Sequence, residues 1–194
     1  MRYIDLLYQT MDKIEMNGIR LNDGIEQVLN VIAHKILLCG KQGNKVIIIG
    51  NGGSAAIAAH TANDLINMGH VSALSLSNPA ELTCMANDYG YENAYMRLID
   101  VHAKKGDILI GISSSGKSKN ILKAVDCAKE IGCYIWTLSG FDQDNPLREL
   151  GDLNLYVPSH QYGQVELCHQ IILHMLTDLF VQQKEKEKKS EVYV

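Results

Sequence analysis

Two short stretches of this chain carry residue types suited to holding a phosphate. One is Gly50-Asn-Gly-Gly-Ser54, and the other is Gly111-Ile-Ser-Ser-Ser-Gly-Lys-Ser118. Each follows a short apolar run and opens a helical one. Glycines let backbone N–H groups approach a ligand closely, and a helix N-terminus adds unpaired donors and partial positive charge. Ser54 can cap its helix and present its hydroxyl to an anion. In the second turn, Ser113, Ser114, Ser115 and Ser118 place four hydroxyls within six residues. One serine would satisfy a plain helix cap, so this excess favours ligand binding. The first turn lacks the lysine and spacing of an NTP-binding P-loop, and it is not GxGxxG.

Two further groups could move protons or hold a metal. His60 and Asp64 are four residues apart, hence on one face of the helix that starts at Ser54. An imidazole and a carboxylate so placed can ligate a divalent ion or shuttle a proton. The plainer reading is a solvated surface pair. Glu166, His169 and His174 lie on a later helical stretch. Glu166 and His174 are roughly 12 Å apart along an ideal axis. Sharing one small ion would therefore need a bend at the helix start or a subunit boundary. His34, His70, His102 and His160 are read as ordinary histidines.

The elements that must position these residues follow from periodicity. Residues 2–17 place Ile4, Leu7, Met11 and Ile14 at helical spacing, and 22–40 repeat this with Ile25, Val28, Leu29, Ile32 and Ile36. Asn22 or Asp23 can cap the second helix. Largely apolar runs then appear at 45–50, 71–76, 108–112 and 133–138, with a shorter one at 153–157. Such runs read as strands buried on both faces of a parallel sheet. Helical stretches at 55–66, 79–87, 118–131 and 164–183 alternate with them. The expected fold class is α/β: a doubly wound, five-stranded parallel sheet behind two leading helices. Residues 1–194 are read as one domain, with an N-terminal helical extension (1–42), an α/β core (43–183) and a charged tail (184–194). In open parallel sheets, ligands bind outside the carboxyl ends of the strands, where both serine turns lie.

Bulk properties narrow the function classes. With 18 basic and 22 acidic residues, no basic surplus points to nucleic acid. The amino terminus carries charge every few residues, so it reads as neither signal peptide nor membrane span. Five scattered cysteines without a CxxC pair read as reduced thiols of a cytoplasmic protein, acting as small core hydrophobes.

Taken together, GNGGS ending at Ser54 with His60, AND ending at Asp88, GISSSGKS ending at Ser118, and VELCHQIILH ending at His174 resemble the phosphoheptose isomerases. These are sedoheptulose 7-phosphate isomerases of the SIS (sugar isomerase) fold. The resemblance runs from about residue 2 to about residue 183. It implies conversion of sedoheptulose 7-phosphate to D-glycero-D-manno-heptose 7-phosphate, on the way to activated heptose for surface polysaccharide. It also implies that Asn51, Gly52 and Gly53 contact substrate, that Ser54, Ser113, Ser114, Ser115 and Ser118 hold the phosphate and nearby hydroxyls, and that Asn87 and Asp88 bind the sugar chain. His60, Asp64, Glu166 and His174 fall at zinc-ligand positions, and the family forms homotetramers with sites between subunits. Asp64 and Glu166 would also contact substrate.

Three positions depart from the family pattern. Asp64 stands where Glu usually acts as base, Glu166 where Gln is usual, and Gly163 where an acidic residue is common. The expected chemistry is a 1,2-proton transfer through an enediol, with Asp64 as base, His174 as acid, and zinc polarising the oxygens. The alternatives are an isomerase or lyase of another sugar phosphate, or a non-catalytic SIS-fold protein that senses a sugar phosphate or binds a partner.

Overall fold

A computed structural model describes residues 2–17, 19–20 and 24–191. The cap expected at Asn22 or Asp23 lies outside them. Five parallel strands form the centre: β3 (Val46–Gly50), β4 (Ala73–Ser75), β5 (Ile108–Ser113), β6 (Tyr134–Gly140) and β7 (Leu153–Val157). Their order is β7-β6-β5-β3-β4, all parallel, which is the expected doubly wound sheet. Chain order reverses between β3 and β5, so the strand ends diverge there and leave a crevice.

Strand alternation sorts the core into two layers. Val46, Ile48, Ile110, Ile112, Leu138 and Leu155 face one side. There they pack with α2 (Ile25–Lys41), α3 (Gly53–Asn67) and α8 (Tyr162–Glu191). Ile47, Ile49, Leu109 and Ile135 face the other side, against α5 (Ala94–His102), α6 (Lys119–Ile131) and α7 (Pro146–Leu150). The expected charged tail continues α8 as helix to Glu191.

Five elements differ from expectation. The first helix, α1 (Tyr3–Met11), ends early. The chain then forms β1 (Glu15–Met16) and β2 (Ile19–Arg20), and β1 pairs antiparallel with the edge of β7. The sheet therefore has seven strands, not five. Ile14 and Met16 are both buried, with Glu15 between them bonded to Arg148 at 2.6 Å. That is a period of two, and it overrides the helical spacing that Ile14 also satisfies. Helices α4 (Pro79–Tyr89) and α5 are separated by a 3₁₀ turn at 91–93, and α5 was not expected from spacing. The short α7 was also missed, although Asn145 caps it and Pro146 opens it, a legible start signal.

At the amino ends of the strands, buried Asp107 accepts from the backbone N–H of Lys45 (3.0 Å) and Lys104 (3.0 Å) and from Lys45 Nζ (2.6 Å). These bonds tie β3 to β5 at the end opposite the crevice. All five cysteines are free. Cys39, Cys133 and Cys168 are core residues as expected, whereas Cys84 is exposed and Cys127 half-buried. Among the described residues, no helix is long and apolar enough to cross a membrane.

Candidate active site

The crevice is walled by the two glycine- and serine-rich turns. After β3, the chain turns at Gly50 so tightly that a Cβ there would lie 2.6 Å from the Ser54 carbonyl. Gly52 has φ +53°, a conformation glycine adopts without strain, and α3 starts at Gly53. Tyr95 from α5 supports this turn from below, donating its hydroxyl to the Gly50 carbonyl at 2.5 Å. Burial pushes the Tyr95 phenol up to about 12, so it remains a donor.

After β5, Ser113 donates to Ser118 Oγ at 3.1 Å, and Ser118 is the residue before α6. The Lys117 N–H donates to Ser115 Oγ at 3.2 Å. Gly116, at φ +63°, packs directly on the fully buried Asn145. Asn145 in turn donates to Ser139 Oγ (3.3 Å) and to the carbonyls of Gly140 (3.2 Å) and Asp142 (2.8 Å). The hydroxyl loop therefore rests on a rigid amide below it.

Between the turns lies a cavity of about 140 Å³. It is lined by Asn51, Ser54, Ile112, Ser113, Ser114, Ser115, Ser118, Tyr162 and Glu166. Its volume is room enough to admit a phosphate group. No lysine or arginine lines it; Lys117 is paired with Asp142 at 2.6 Å. The donors it offers are hydroxyls, backbone N–H groups and the N-termini of α3 and α6.

His60, Asp64 and His174 meet at a second point. His60 Nε2 lies 3.4 Å from Asp64 Oδ2, and His174 Nδ1 lies 3.8 Å from the same oxygen. The imidazoles meet edge to face with centroids 5.0 Å apart, and one donor atom from each residue lies within 4.8 Å of the others. Ligands about 2.0–2.1 Å from a tetrahedral zinc sit about 3.4 Å from one another, so two nitrogens and a carboxylate oxygen at these spacings fit that ion with small side-chain adjustment. Three protein ligands leave a fourth position for substrate.

Glu166 is not in this group within one chain. Helices α3 and α8 run side by side in the same direction. Glu166 packs on Gly53 at one end, where an added Cβ would meet Glu166 Oε1 at 2.6 Å. Asp64 meets His174 about two turns further on. The 12 Å separation expected along α8 is thus kept, and Glu166 borders the serine cavity instead. Asn87 and Asp88 sit at the exposed end of α4, bonded to each other at 2.9 Å and outside the serine cavity's lining. Tyr89, the next residue, lines a larger neighbouring cavity of about 540 Å³ that also includes Asn51 and Ser118.

Residues 2–140 match the SIS domain family. A phosphoheptose isomerase of Helicobacter pylori (strain P12) is 37% identical over 80% of this chain and 84% of its own length. One from Helicobacter hepaticus is 35% identical over 82% of each. Among solved structures, a phosphoheptose isomerase from Francisella tularensis superposes with TM-score 0.81 at 27% identity, over 93% of this chain and 95% of that one. Another, from Neisseria gonorrhoeae, gives 0.73 at 31% identity, over 79% and 86%. The chain belongs to the phosphoheptose isomerase family. It is therefore a sugar-phosphate isomerase.

Several residues of this phosphoheptose isomerase site were not singled out from sequence. Asn120, Tyr91 and Tyr95 bond to the first turn and Asn145 packs under Gly116 of the second, each brought there by tertiary structure. Only Asn145, before a proline, carried a local signal. His169, three residues after Glu166, is not a ligand. It is fully buried, its Nε2 lies 3.1 Å from the Ser139 carbonyl, and burial holds its ring down to about 4.

Proposed function

We propose that this chain converts sedoheptulose 7-phosphate to D-glycero-D-manno-heptose 7-phosphate through an enediol. The observation that carries this reading is the spacing of two groups on α3. Ser54 is in the phosphate-sized pocket, and His60 is six residues further along, about 9 Å of helix rise. In a heptulose 7-phosphate, seven bonds of about 1.5 Å link the ketone carbon to phosphorus, and zig-zagged they span on the order of 9 Å. A phosphate among Ser54, Ser113, Ser114, Ser115 and Ser118 puts the ketone end near His60, Asp64 and His174.

Asp64 Oδ2 faces both imidazoles, which leaves the other carboxylate oxygen to take a proton from C1. His174 donates a proton to the C2 carbonyl oxygen, giving the enediol. His174 then takes the proton of the C1 hydroxyl, and Asp64 returns its proton at C2, so the aldose forms with no net gain or loss. His60, Asp64 and His174 would hold a zinc ion, which supplies polarisation of the substrate's carbonyl and hydroxyl oxygens when bound. Glu166 accepts hydrogen bonds from sugar hydroxyls at the pocket wall.

The acid–base cluster is half open to solvent in one chain, with His60 and His174 about half exposed. Apolar side chains are exposed on α1 (Ile4, Tyr8) and α2 (Val31, Leu38), each pair on one helical face. These features support a homotetramer whose subunits close one another's sites. The free thiols support a reducing, cytoplasmic setting, and the product would feed activated heptose synthesis for surface polysaccharide.

The test is turnover of sedoheptulose 7-phosphate by purified protein, as isolated, after chelation, and with Zn²⁺ restored. Turnover lost on chelation and regained with zinc supports both the reaction and the His60, Asp64, His174 site. Binding without turnover under every condition would reject the assignment in favour of another substrate or a non-catalytic sensor.

A further inference from the structure

Beyond the β3–β5 pairing, a side-chain link crosses the crevice from the first serine turn to the start of α6. Asn51 Nδ2 donates to Asn120 Oδ1 at 3.0 Å, and Asn120 Nδ2 donates to Asn51 Oδ1 at 2.8 Å. This is a reciprocal amide pair. Asn51 follows β3 and precedes α3, whereas Asn120 is the second residue of α6. Asn120 is only 3% exposed, and its Oδ1 also accepts from the Ile121 N–H at 3.1 Å. Tyr91 adds a second donor to Asn51 Oδ1 at 2.8 Å. The Tyr91 segment is itself tied to α6, because Lys123 Nζ bonds Glu92 at 2.7 Å and Asn93 at 2.8 Å.

The Asn51 carbonyl therefore already accepts two hydrogen bonds, which fills its capacity. Its role is consequently different from a direct substrate ligand through that oxygen. We infer that Asn120 is a positioning residue: by pairing with Asn51 it sets the distance between the N-termini of α3 and α6, and so the span of the phosphate pocket. This rests on the phosphate-binding reading of that pocket. The span matters because no lysine or arginine lines the cavity to supply long-range attraction. Short-range donors lose their hold steeply with displacement, and about 1 Å of misplacement costs on the order of 10²-fold.

The test uses Asn120→Asp in the full chain, with inorganic phosphate as the probe in calorimetry. An ionised carboxylate places an oxygen against Asn51 Oδ1 and removes the donor. An acidic side chain in the first turn of α6 suits the helix dipole, so a general destabilisation of the helix is not expected. At pH 8 the variant should bind phosphate at least tenfold more weakly than wild type. A variant equal to wild type at pH 8 overturns the inference.

Amide hydrogen exchange separates this from the phosphate reading. At pH 8, residues 51–54 and 113–121 should exchange at least tenfold faster in Asn120→Asp, with the rest of the sheet unchanged. Wild type that fails to bind phosphate would sink the pocket's assignment, and the exchange result would still decide whether Asn120 holds the turns. Unchanged exchange in both segments refutes the positioning role.

Discussion

His169 makes the stability of this protein depend on pH in a calculable way. Its ring is fully buried on α8, with Nε2 bonded to the Ser139 carbonyl at 3.1 Å and Nδ1 without a hydrogen-bond partner in the structure. Burial disfavours the imidazolium, so the ring titrates near 4 in the fold against 6.5 unfolded. The native protein stays neutral at this position while the unfolded chain takes up a proton between those values. Stability is thus fully present above about pH 6.5 and is lost as pH falls toward 4. A gap of about 2.5 units at 1.36 kcal/mol each gives about 3 kcal/mol. That is a large share of the 5–15 kcal/mol typical of a domain. The assay is urea unfolding of wild type and His169→Gln at intervals from pH 7.5 to 4. Carboxylates titrate in both proteins, so their difference isolates His169. Wild type should lose about 3 kcal/mol more than the variant across the range. An NMR titration of the wild-type ring gives a second reading should the variant not fold. A difference that stays flat with pH, or a ring that titrates near 6.5, would refute the reasoning. Ser139 pairs in register with Ser113, so protonation should also loosen the serine turn.

Other perturbations have equally direct outcomes. Gly116→Ala forces a Cβ onto Asn145 at a positive φ and should cost about 3 kcal/mol or more, read from denaturant midpoints. Asp107→Ala leaves Lys45 and two backbone N–H groups without their buried acceptor and should cost about 3–5 kcal/mol, measured the same way. Asp64→Asn should lower kcat on sedoheptulose 7-phosphate by on the order of 10²-fold or more with little change in phosphate affinity; near-wild-type turnover would remove Asp64 as base. Tyr95→Phe removes the hydroxyl's bond to the Gly50 carbonyl and should cost about 1 kcal/mol while weakening phosphate binding in calorimetry.

Much of this was legible in the chain itself. Runs such as Val46–Gly50 are apolar at every position, which only a strand covered on both faces allows, and their alternation with helical stretches dictates a parallel, doubly wound sheet. Glycines at the carboxyl ends of two such strands mark the tight turns, because Gly50, Gly52 and Gly116 sit where a Cβ or an ordinary φ would not fit. His60 and Asp64 share a face by helical period alone. Tertiary structure decided what local pattern leaves open. Ile14 satisfies strand and helix periods alike until the edge of β7 offers hydrogen bonds to the segment that follows it. His174 joins Asp64, and Glu166 does not, because α3 and α8 lie side by side in one fixed register. Asn51 and Asn120, 69 residues apart, become one clamp only when the sheet brings their strands' ends together. Periodicity reports which face a side chain presents; only packing determines what it meets there.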